Sequence, residues 1–186
     1  VQGAAGGVIS GSSAGVRTTL QGTTTATVDA GTDLLSGLDP YRALAGDISI
    51  VAATVANTSD TASLSTGGAI DVARVSADLQ ASFDNVVRIG DDAWLSSQGY
   101  LNLGTYTRAM HDASALVNTW GLAAVGKADS DVRIHNAQSV DVGSGALLES
   151  ISNSYVTAGR DATGLLDTLI QGNSVAEGYV RGLIAV

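Results

Sequence analysis

The best candidate for a catalytic nucleophile lies in a short glycine-flanked motif near the start of the chain. Gly11-Ser12-Ser13-Ala14-Gly15 matches the G-x-S-x-G pattern, which places an exposed serine on a sharp turn between a strand and a helix. No helical pattern follows the motif, and His111 and His135 are the only imidazoles that could serve as a base. We therefore interpret the motif as a chain corner, and we predict that the protein is not an enzyme and has no catalytic residue.

Acidic pairs are the residues that could bind a metal ion. Asp91 with Asp92, Asp129-Ser130-Asp131, and Asp29 with Asp33 carry the oxygen ligands that calcium prefers. None of these groups has the spacing of an EF-hand or of a glycine-aspartate nonapeptide. His111 and His135 are 24 residues apart and could stack in adjacent coils, but they lack further ligands. We expect no cofactor and no metal site, with calcium at the acidic corners as the alternative.

Aromatic and threonine side chains suggest two kinds of binding surface. Five aromatic residues could form a stacking platform for sugars or pack at coil edges; they are Trp94, Trp120, Tyr100, Tyr106 and Tyr179. Thr23-Thr24-Thr25-Ala26-Thr27 and Thr105-Tyr106-Thr107 invite an ice-binding interpretation, which requires Thr-x-Thr on coil after coil. That regularity is absent from the sequence.

The composition narrows the class of partner and the kind of core. Eighteen acidic and nine basic residues give a formal charge of −9, which disfavours nucleic acid and anionic membranes. Hydrophobic residues form 45% of the chain, but there is only one Phe, one Met and one Pro. A core of small and β-branched residues suits tightly stacked strands better than a wide globule. The first ten residues lack the pattern of a signal peptide, and no apolar run is long enough for a transmembrane helix.

Two sequence markers recur in step, which identifies the chain as a repeat protein. Val87–Leu95 aligns with Val140–Leu148, and we align Val28–Asp33 as a third copy, so that Gly31, Gly90 and Gly143 would shape equivalent corners. The second marker begins at a glycine followed by aliphatic residues, and its copies start at Gly7, Gly68, Gly121 and Gly182. Three pairs of glycines are each separated by 53 residues: Gly46 and Gly99, Gly68 and Gly121, and Gly90 and Gly143.

Two longer intervals predict loops inserted into the repeat. The interval from Gly31 to Gly90 and the interval from Gly121 to Gly182 both exceed the common spacing by several residues. The first insertion is expected to contain Gly37–Arg42, which holds the only proline. The second is expected within Gly164–Gly178, where the spacing of Leu165, Leu166, Leu169 and Ile170 predicts a short helix.

Alternation of apolar and polar residues predicts strands within each unit. Ile70 and Val72, and then Val75, Ala77 and Leu79, follow a period of two. Propeller blades would need tight hairpins, but Asn-Gly and Asp-Gly pairs are missing from the sequence. A parallel β-solenoid needs only corners, and coils of roughly 20 to 25 residues would place two or three coils in each 53-residue unit.

The repeat resembles a known family. Val87–Leu95, followed by Tyr100-Leu101-Asn102-Leu103, is similar to the repeat units of large bacterial filamentous adhesins of the filamentous-haemagglutinin and leukotoxin type. The resemblance implies a right-handed parallel β-helix on the bacterial cell surface, with a structural or adhesive role. It implies an extracellular location and partners such as glycans or receptors on host or neighbouring cells.

Taken together, the sequence predicts an all-β fold in which residues 1–186 form a single β-solenoid segment. Its repeats are expected at approximately 7–67, 68–120 and 121–181, with 182–186 starting another. Both ends fall inside a repeat and no polar cap is visible, so we expect an excerpt of a longer chain or a subunit that associates end to end or side by side. The alternative is a carbohydrate-active enzyme or a carbohydrate-binding module on a β-helix.

Overall fold

The computed structural model describes residues 1–37, 46–160 and 167–185. Within these residues all regular structure is β, as the period-two pattern predicted. Four strands are long and four are short. The long strands are β1 (Gln2–Val28), β3 (Ile48–Ile89), β5 (Leu101–Val142) and β8 (Leu169–Ala185). The short strands are β2 (Asp33–Ser36), β4 (Trp94–Ser97), β6 (Leu147–Ser150) and β7 (Ser154–Ala158).

These strands pair in parallel and form two sheets. The larger sheet has the order β1-β3-β5, with β7 and β8 pairing to successive parts of β5, and the smaller has the order β2-β4-β6. Residues of β3 pair with residues of β5 that lie 53 positions later, as Ile48 does with Leu101. The offset is 61 between β1 and β3, as for Gln2 and Ser63. This stacking of parallel layers fits a β-solenoid.

The prediction of two or three coils in each unit is wrong. Every long ladder joins residues that are 53 or 61 positions apart, so one unit builds one layer. The prediction assumed that each glycine-rich turn ends a strand and closes a coil. In the structure the long strands bend at glycine without interrupting the ladder, and a single strand therefore supplies two sides of a layer.

Strand β3 doubles back on itself at Gly67 and Gly68. In β3 the buried side chains have even numbers up to Thr66 and, apart from Val86, odd numbers from Asp71 onward, so the inward face changes phase across Gly67–Ile70. Thr66 and Asp71 join side chains across this bend, and Thr54 reaches Asn85 from the opposite side. We call residues 48–67 and their ladder partners wall A, residues 70–89 and their partners wall B, and the bend between them the arc.

A column of glycines makes the arc possible. Gly7, Gly68, Gly121 and Gly182 are ladder partners in successive layers. A Cβ at Gly182 would lie 2.6 Å from the carbonyl oxygen of Gly121, and a Cβ at Gly68 or Gly121 would lie closer still to the oxygen of the layer before it. Only glycine lets adjacent backbones approach this closely, which explains why this sequence marker recurs.

The interior between the walls holds two apolar cores separated by a polar band. The core nearer the arc includes Leu64, Val75, Leu79, Phe83 and Val117. The second core lies against the small sheet, and includes Val87, Ile89, Leu95, Leu101 and Leu103. Fully burying such a side chain stabilises the fold by roughly 1.5–3 kcal/mol, so these aliphatic ladders form an adequate core with a single Phe.

The small sheet closes the wide end of each layer, and a tight corner leads into it. Gly31, Asp92 and Gly145 all have positive φ, at 65°, 55° and 74°, and the ladder offsets on either side make them equivalent. The predicted alignment of Gly31 with Gly90 and Gly143 is therefore wrong by two residues. The error arose because aspartate occupies this position in the middle copy. Aspartate tolerates the left-handed backbone conformation better than most residues.

The two insertions lie where the ladder offset changes. The offset falls from 61 for Ser36 to 53 for Ile48, which places the first insertion between these two residues. The offset rises from 53 for Gly104, which pairs with Thr157, to 61 for Arg108, which pairs with Leu169, so the second insertion lies between Thr157 and Leu169. Of the predicted first loop, 38–42 lie outside the described residues, as do Leu165 and Leu166 of the predicted helix. The helix prediction is wrong for Leu169 and Ile170, which begin β8 and pair with Arg108 and Ala109.

Candidate functional site: a charged groove on wall B

A broad concavity lies on the outer face of wall B. It has a volume of about 760 Å³ and is open to solvent, and it crosses three layers. Outward positions alternate with the core positions of the same strands. Two neighbouring columns of ladder partners therefore line the groove, together with Arg74: Gly15, Ser76 and Asp129; and Arg17, Asp78 and Asp131.

Ion pairs form along this groove, both between layers and within one strand. Arg17 Nε lies 2.9 Å from Asp78 Oδ2 in the next layer. Asp129 pairs with two cations, with Arg74 of the layer before at 3.4 Å and with Lys127 Nζ of its own strand at 3.2 Å. Arg133 lies 2.7 Å from Asp131. Because the cations are largely exposed, each pair contributes about 0–1 kcal/mol to stability.

The groove presents charged side chains of both signs to solvent. Each of its carboxylates, from Asp78, Asp129 and Asp131, already has a cationic partner. The inner oxygen of Asp78, Oδ1, is buried and has no hydrogen-bond partner. At Gly15 the Ser76 hydroxyl of the next layer takes the place of a side chain, since a Cβ there would lie 2.9 Å from Ser76 Oγ. The surface thus offers alternating charge to a polar ligand.

The acidic residues proposed for calcium lie in two places. Asp129 and Asp131 face the groove on wall B, whereas Asp91 and Asp92, and Asp29 and Asp33 of the adjacent layer, lie at the corner beside the small sheet. Asp91 Oδ1 accepts a hydrogen bond from the backbone N–H of Ser144 at 2.8 Å, which ties two corners together. Across the residues that the structure describes, no group of three or more His, Asp or Glu is arranged to hold a metal ion.

The serine motif and the histidines also lie apart. Residues 11–15 form part of the extended strand β1 rather than a corner, so the corner interpretation is wrong, and Ser13 is exposed beside the groove. His135 is exposed on wall B, whereas His111 is buried on wall A. Their ladder partners are Ser82 and Thr58, so the two imidazoles do not stack. The short spacing between them was misleading because one layer contains about twice as many residues.

The aromatic side chains occupy two distant parts of each layer. Trp94 and Tyr100 lie near the small sheet, where Tyr100 contacts Tyr155 with ring centroids 6.3 Å apart. Trp120 and Tyr179 lie on wall A near the arc. The Trp120 indole covers Gly67, where any Cβ would strike the ring, yet 58% of the residue is exposed. The five residues therefore form no single platform, but Trp120 presents one free aromatic face.

The hydroxyls of Thr24, Thr54 and Thr107 point into the protein, where they belong to the polar band between the cores. In contrast, Thr23, Thr25 and Thr27 are exposed on wall B. Thr105 and Thr107 are fully buried, so this Thr-Tyr-Thr segment presents only Tyr106 outward. The Asn85 side-chain nitrogen donates a hydrogen bond to Thr107 Oγ1 at 2.8 Å, and the Asn85 side-chain oxygen accepts one from the Thr54 hydroxyl at 2.7 Å. Asn136 extends the network into the next layer. Sequence reasoning missed this band, although its polar residues interrupt the apolar alternation at matching positions in each unit.

A second polar cluster, also missed, lies just inside the arc. The Asp71 carboxylate is fully buried and accepts hydrogen bonds from the hydroxyls of Ser10, Thr66 and Thr119, which belong to three different layers. Burial alone would raise the pKa of Asp71. The three hydroxyls and the backbone N–H of Val72 outweigh that effect and hold the pKa below its usual value. The cluster ties the layers together at their sharpest bend.

His111 is the least satisfied polar group in the interior. It is 1% exposed, stacks on Phe83 at a centroid distance of 5.8 Å, and has no hydrogen-bond partner at either ring nitrogen. Burial lowers the pKa of His111, and the neighbouring Asp112 raises it by a smaller amount. The imidazole therefore behaves as a neutral, flat core residue.

No family model, no curated protein and no solved structure matches the chain. Within residues 1–37, 46–160 and 167–185, no helix is long and apolar enough to cross a membrane.

Proposed function

We propose that this chain is a non-catalytic structural or adhesive segment of a right-handed β-solenoid in an extracellular bacterial surface fibre. The observation that supports this most strongly is the continuous ladder through β1, β3, β5 and β8. Each layer presents nearly the same outline to the next, so adding units lengthens the molecule without changing its cross-section. Such growth suits a shaft that extends from a surface.

The interior of the layers favours the same role. Apolar ladders, the Asn85 band and the Asp71 cluster all connect one layer to the next. Stability is thereby distributed along the stack rather than concentrated around a pocket. A shaft that resists separation of its layers needs this distribution.

The surface suggests the class of partner. A net charge of −9 opposes binding to nucleic acid. The open groove and the exposed Trp120 offer shallow polar and aromatic contacts to surface glycans or receptors on other cells. Self-association end to end would lengthen the fibre, and self-association side by side would thicken it.

Immunogold electron microscopy of intact cells of the source organism tests the structural role and the location together. Antibodies against the purified chain should label thin fibres outside the cell, and permeabilised cells should give no further labelling. Labelling confined to the cell interior would contradict the proposal.

The alternative functions act on carbohydrate, and each has an observation in its favour. Trp120 has a free aromatic face of the kind that stacks on sugar rings, and Asp78 and Asp131 are ladder partners in the groove. A panel of polysaccharides should therefore be incubated with the wild-type chain and with the double variant Asp78→Asn/Asp131→Asn. Release of products by the wild type alone would establish an enzyme.

Glycan binding without turnover is distinguished by a second pair of variants. If Trp120 is a sugar platform, Trp120→Ala should abolish binding in isothermal titration, whereas Trp94→Ala, at the other end of the layer, should retain it. The reverse pattern would exclude Trp120 as the platform.

A further inference from the structure

An exposed apolar ridge runs across the layers at the arc. We define the apolar ridge as eight residues that are each at least 40% exposed: Val8, Ile9, Ile70, Val72, Leu122, Val125, Leu183 and Ile184. The exposed fractions reach 78% for Val8 and 85% for Leu183. Scattered exposed aliphatic residues are normal on protein surfaces, but a contiguous set of this kind marks an interaction site.

The ridge repeats with the layers. Two columns of residues in the arc follow the register of the ladder from layer to layer. The first is Val8, Ala69, Leu122 and Leu183, and the second is Ile9, Ile70, Ala123 and Ile184. Parallel strands are about 4.8 Å apart, so the ridge carries an aliphatic side chain at each such step. Residues 7–9, 68–70, 121–123 and 182–184 contain no charged side chain.

The exposed area of the ridge is that of a stable interface. From the exposed fractions, its eight residues present on the order of 900 Å², close to the roughly 800 Å² that each partner contributes to a standard interface. The largest apolar patch on an ordinary monomer is about 300–600 Å². Removing this much apolar surface from water is therefore favourable enough to support association.

We propose that the apolar ridge joins two copies of this chain side by side, arc against arc. This inference rests on the proposed function, because it makes the ridge the contact that bundles shafts into a thicker fibre. A second copy offers the same spacing of about 4.8 Å, so its side chains can fit between those of the first along the whole length. A two-fold axis across the ridge pairs the same patch on both copies, as in most homodimers.

Charge favours the ridge over the rest of the surface as the contact between copies. Two copies with a net charge of −9 each repel one another. The ridge itself is uncharged, and the exposed charged residues next to it are the cations Arg74 and Lys127 on wall B and Arg181 on wall A. The Asp71 carboxylate, between Ile70 and Val72, is buried. The acidic groups that oppose association are thus kept away from the contact.

Sedimentation equilibrium over a range of concentrations tests the proposal. The wild-type chain should form dimers, and Ile70→Thr/Leu122→Thr should raise the dimer Kd by about tenfold or more, since it removes exposed apolar surface from both copies. Threonine is β-branched and suits strands. The control, Val55→Thr, removes a side chain that is 67% exposed on the outer face of wall A, and it should leave the Kd unchanged. Equal effects of the two variants would overturn the proposal.

Cysteine cross-linking identifies the surface directly, because the chain has no cysteine of its own. Under mild oxidation Ala69→Cys, within the arc, should give disulfide-linked dimers, whereas Asn57→Cys, exposed on wall A, should stay monomeric. A monomer that floats with neutral phosphatidylcholine vesicles would also contradict the proposal, since the ridge would then bind lipid. A chain that remains monomeric, folded by circular dichroism and located on extracellular fibres would overturn the ridge contact and leave the proposed function standing.

Discussion

The glycine column at the arc predicts a large effect from the smallest possible substitution. Gly121→Ala adds one methyl group that would be driven against the carbonyl oxygen of Gly68, and that oxygen cannot move because β3 and β5 are paired on both sides of it. Overpacking costs about 1–3 kcal/mol, with the upper end expected against rigid backbone. Reduced freedom of the unfolded chain returns about 0.4–1 kcal/mol.

The net effect is a loss of about 2 kcal/mol, which corresponds to a Tm lower by roughly 4–8 °C for a chain of this size. Urea denaturation followed by circular dichroism measures this change. The matched control is Gly11→Ala, since a Cβ at Gly11 meets no atom within 4 Å, and this variant should be as stable as the wild type or more stable. Equal stabilities for the two alanine variants would refute the close approach of layers at the arc.

Three further predictions concern the corner, the polar band and the buried histidine. Gly31→Ala should lower stability by about 1–2 kcal/mol in urea denaturation through its left-handed backbone alone, because no atom lies within 4 Å of its Cβ position; an unchanged midpoint would contradict this. Asn85→Ala should lower it by about 1–3 kcal/mol, since Thr107 loses the nearer of its two donors and Thr54 loses its acceptor; a neutral result would show that the band does not stabilise the layers. For His111 the pKa is lower in the folded state, so the unfolded chain binds more protons just below pH 6.5 and stability should fall as the pH decreases through that region. His111→Leu should remove this slope between pH 7 and pH 5, and an unchanged slope would assign it to other groups.

The sequence allowed the strand content, the parallel stacking and the glycine marker to be predicted. These features depend on local alternation and on self-similarity, which can be read without knowing the third dimension. The pairing of Gly68 with Gly121 and of Gly46 with Gly99 follows directly from the interval that separates the two members of each pair.

The number of coils in a unit could not be predicted for a physical reason. A glycine such as Gly68 can end a strand, or it can let a strand bend while its ladder continues, and both outcomes give the same local pattern. The inward positions change from even to odd numbers across Gly67–Ile70. This change was the signal that could have distinguished a bent strand from a strand that ends. An even-to-odd switch within one continuous alternation indicates a strand that reverses its inward face.

The candidate site was less accessible to sequence reasoning. The groove combines residues from three layers, such as Arg17, Asp78 and Asp131, that are far apart along the chain. Their proximity depends on the ladder offsets of 61 and 53, and the shorter coils assumed from the sequence would have placed them elsewhere. The Asp71 cluster and the apolar ridge were missed because both depend on the position of the arc.

Disulfide trapping of paired cysteines tests most directly whether one unit forms one layer. Asn57 and Met110 are ladder partners in adjacent layers and both are exposed on wall A, and adjacent strands place their Cα atoms within the range of roughly 4.4–6.8 Å that a disulfide spans. Asn57→Cys/Met110→Cys should therefore close an internal disulfide on oxidation. Asn57→Cys/Gln80→Cys, which would join neighbours if the shorter coils predicted from the sequence existed, should remain reduced. A disulfide in the second variant and none in the first would contradict the layered structure.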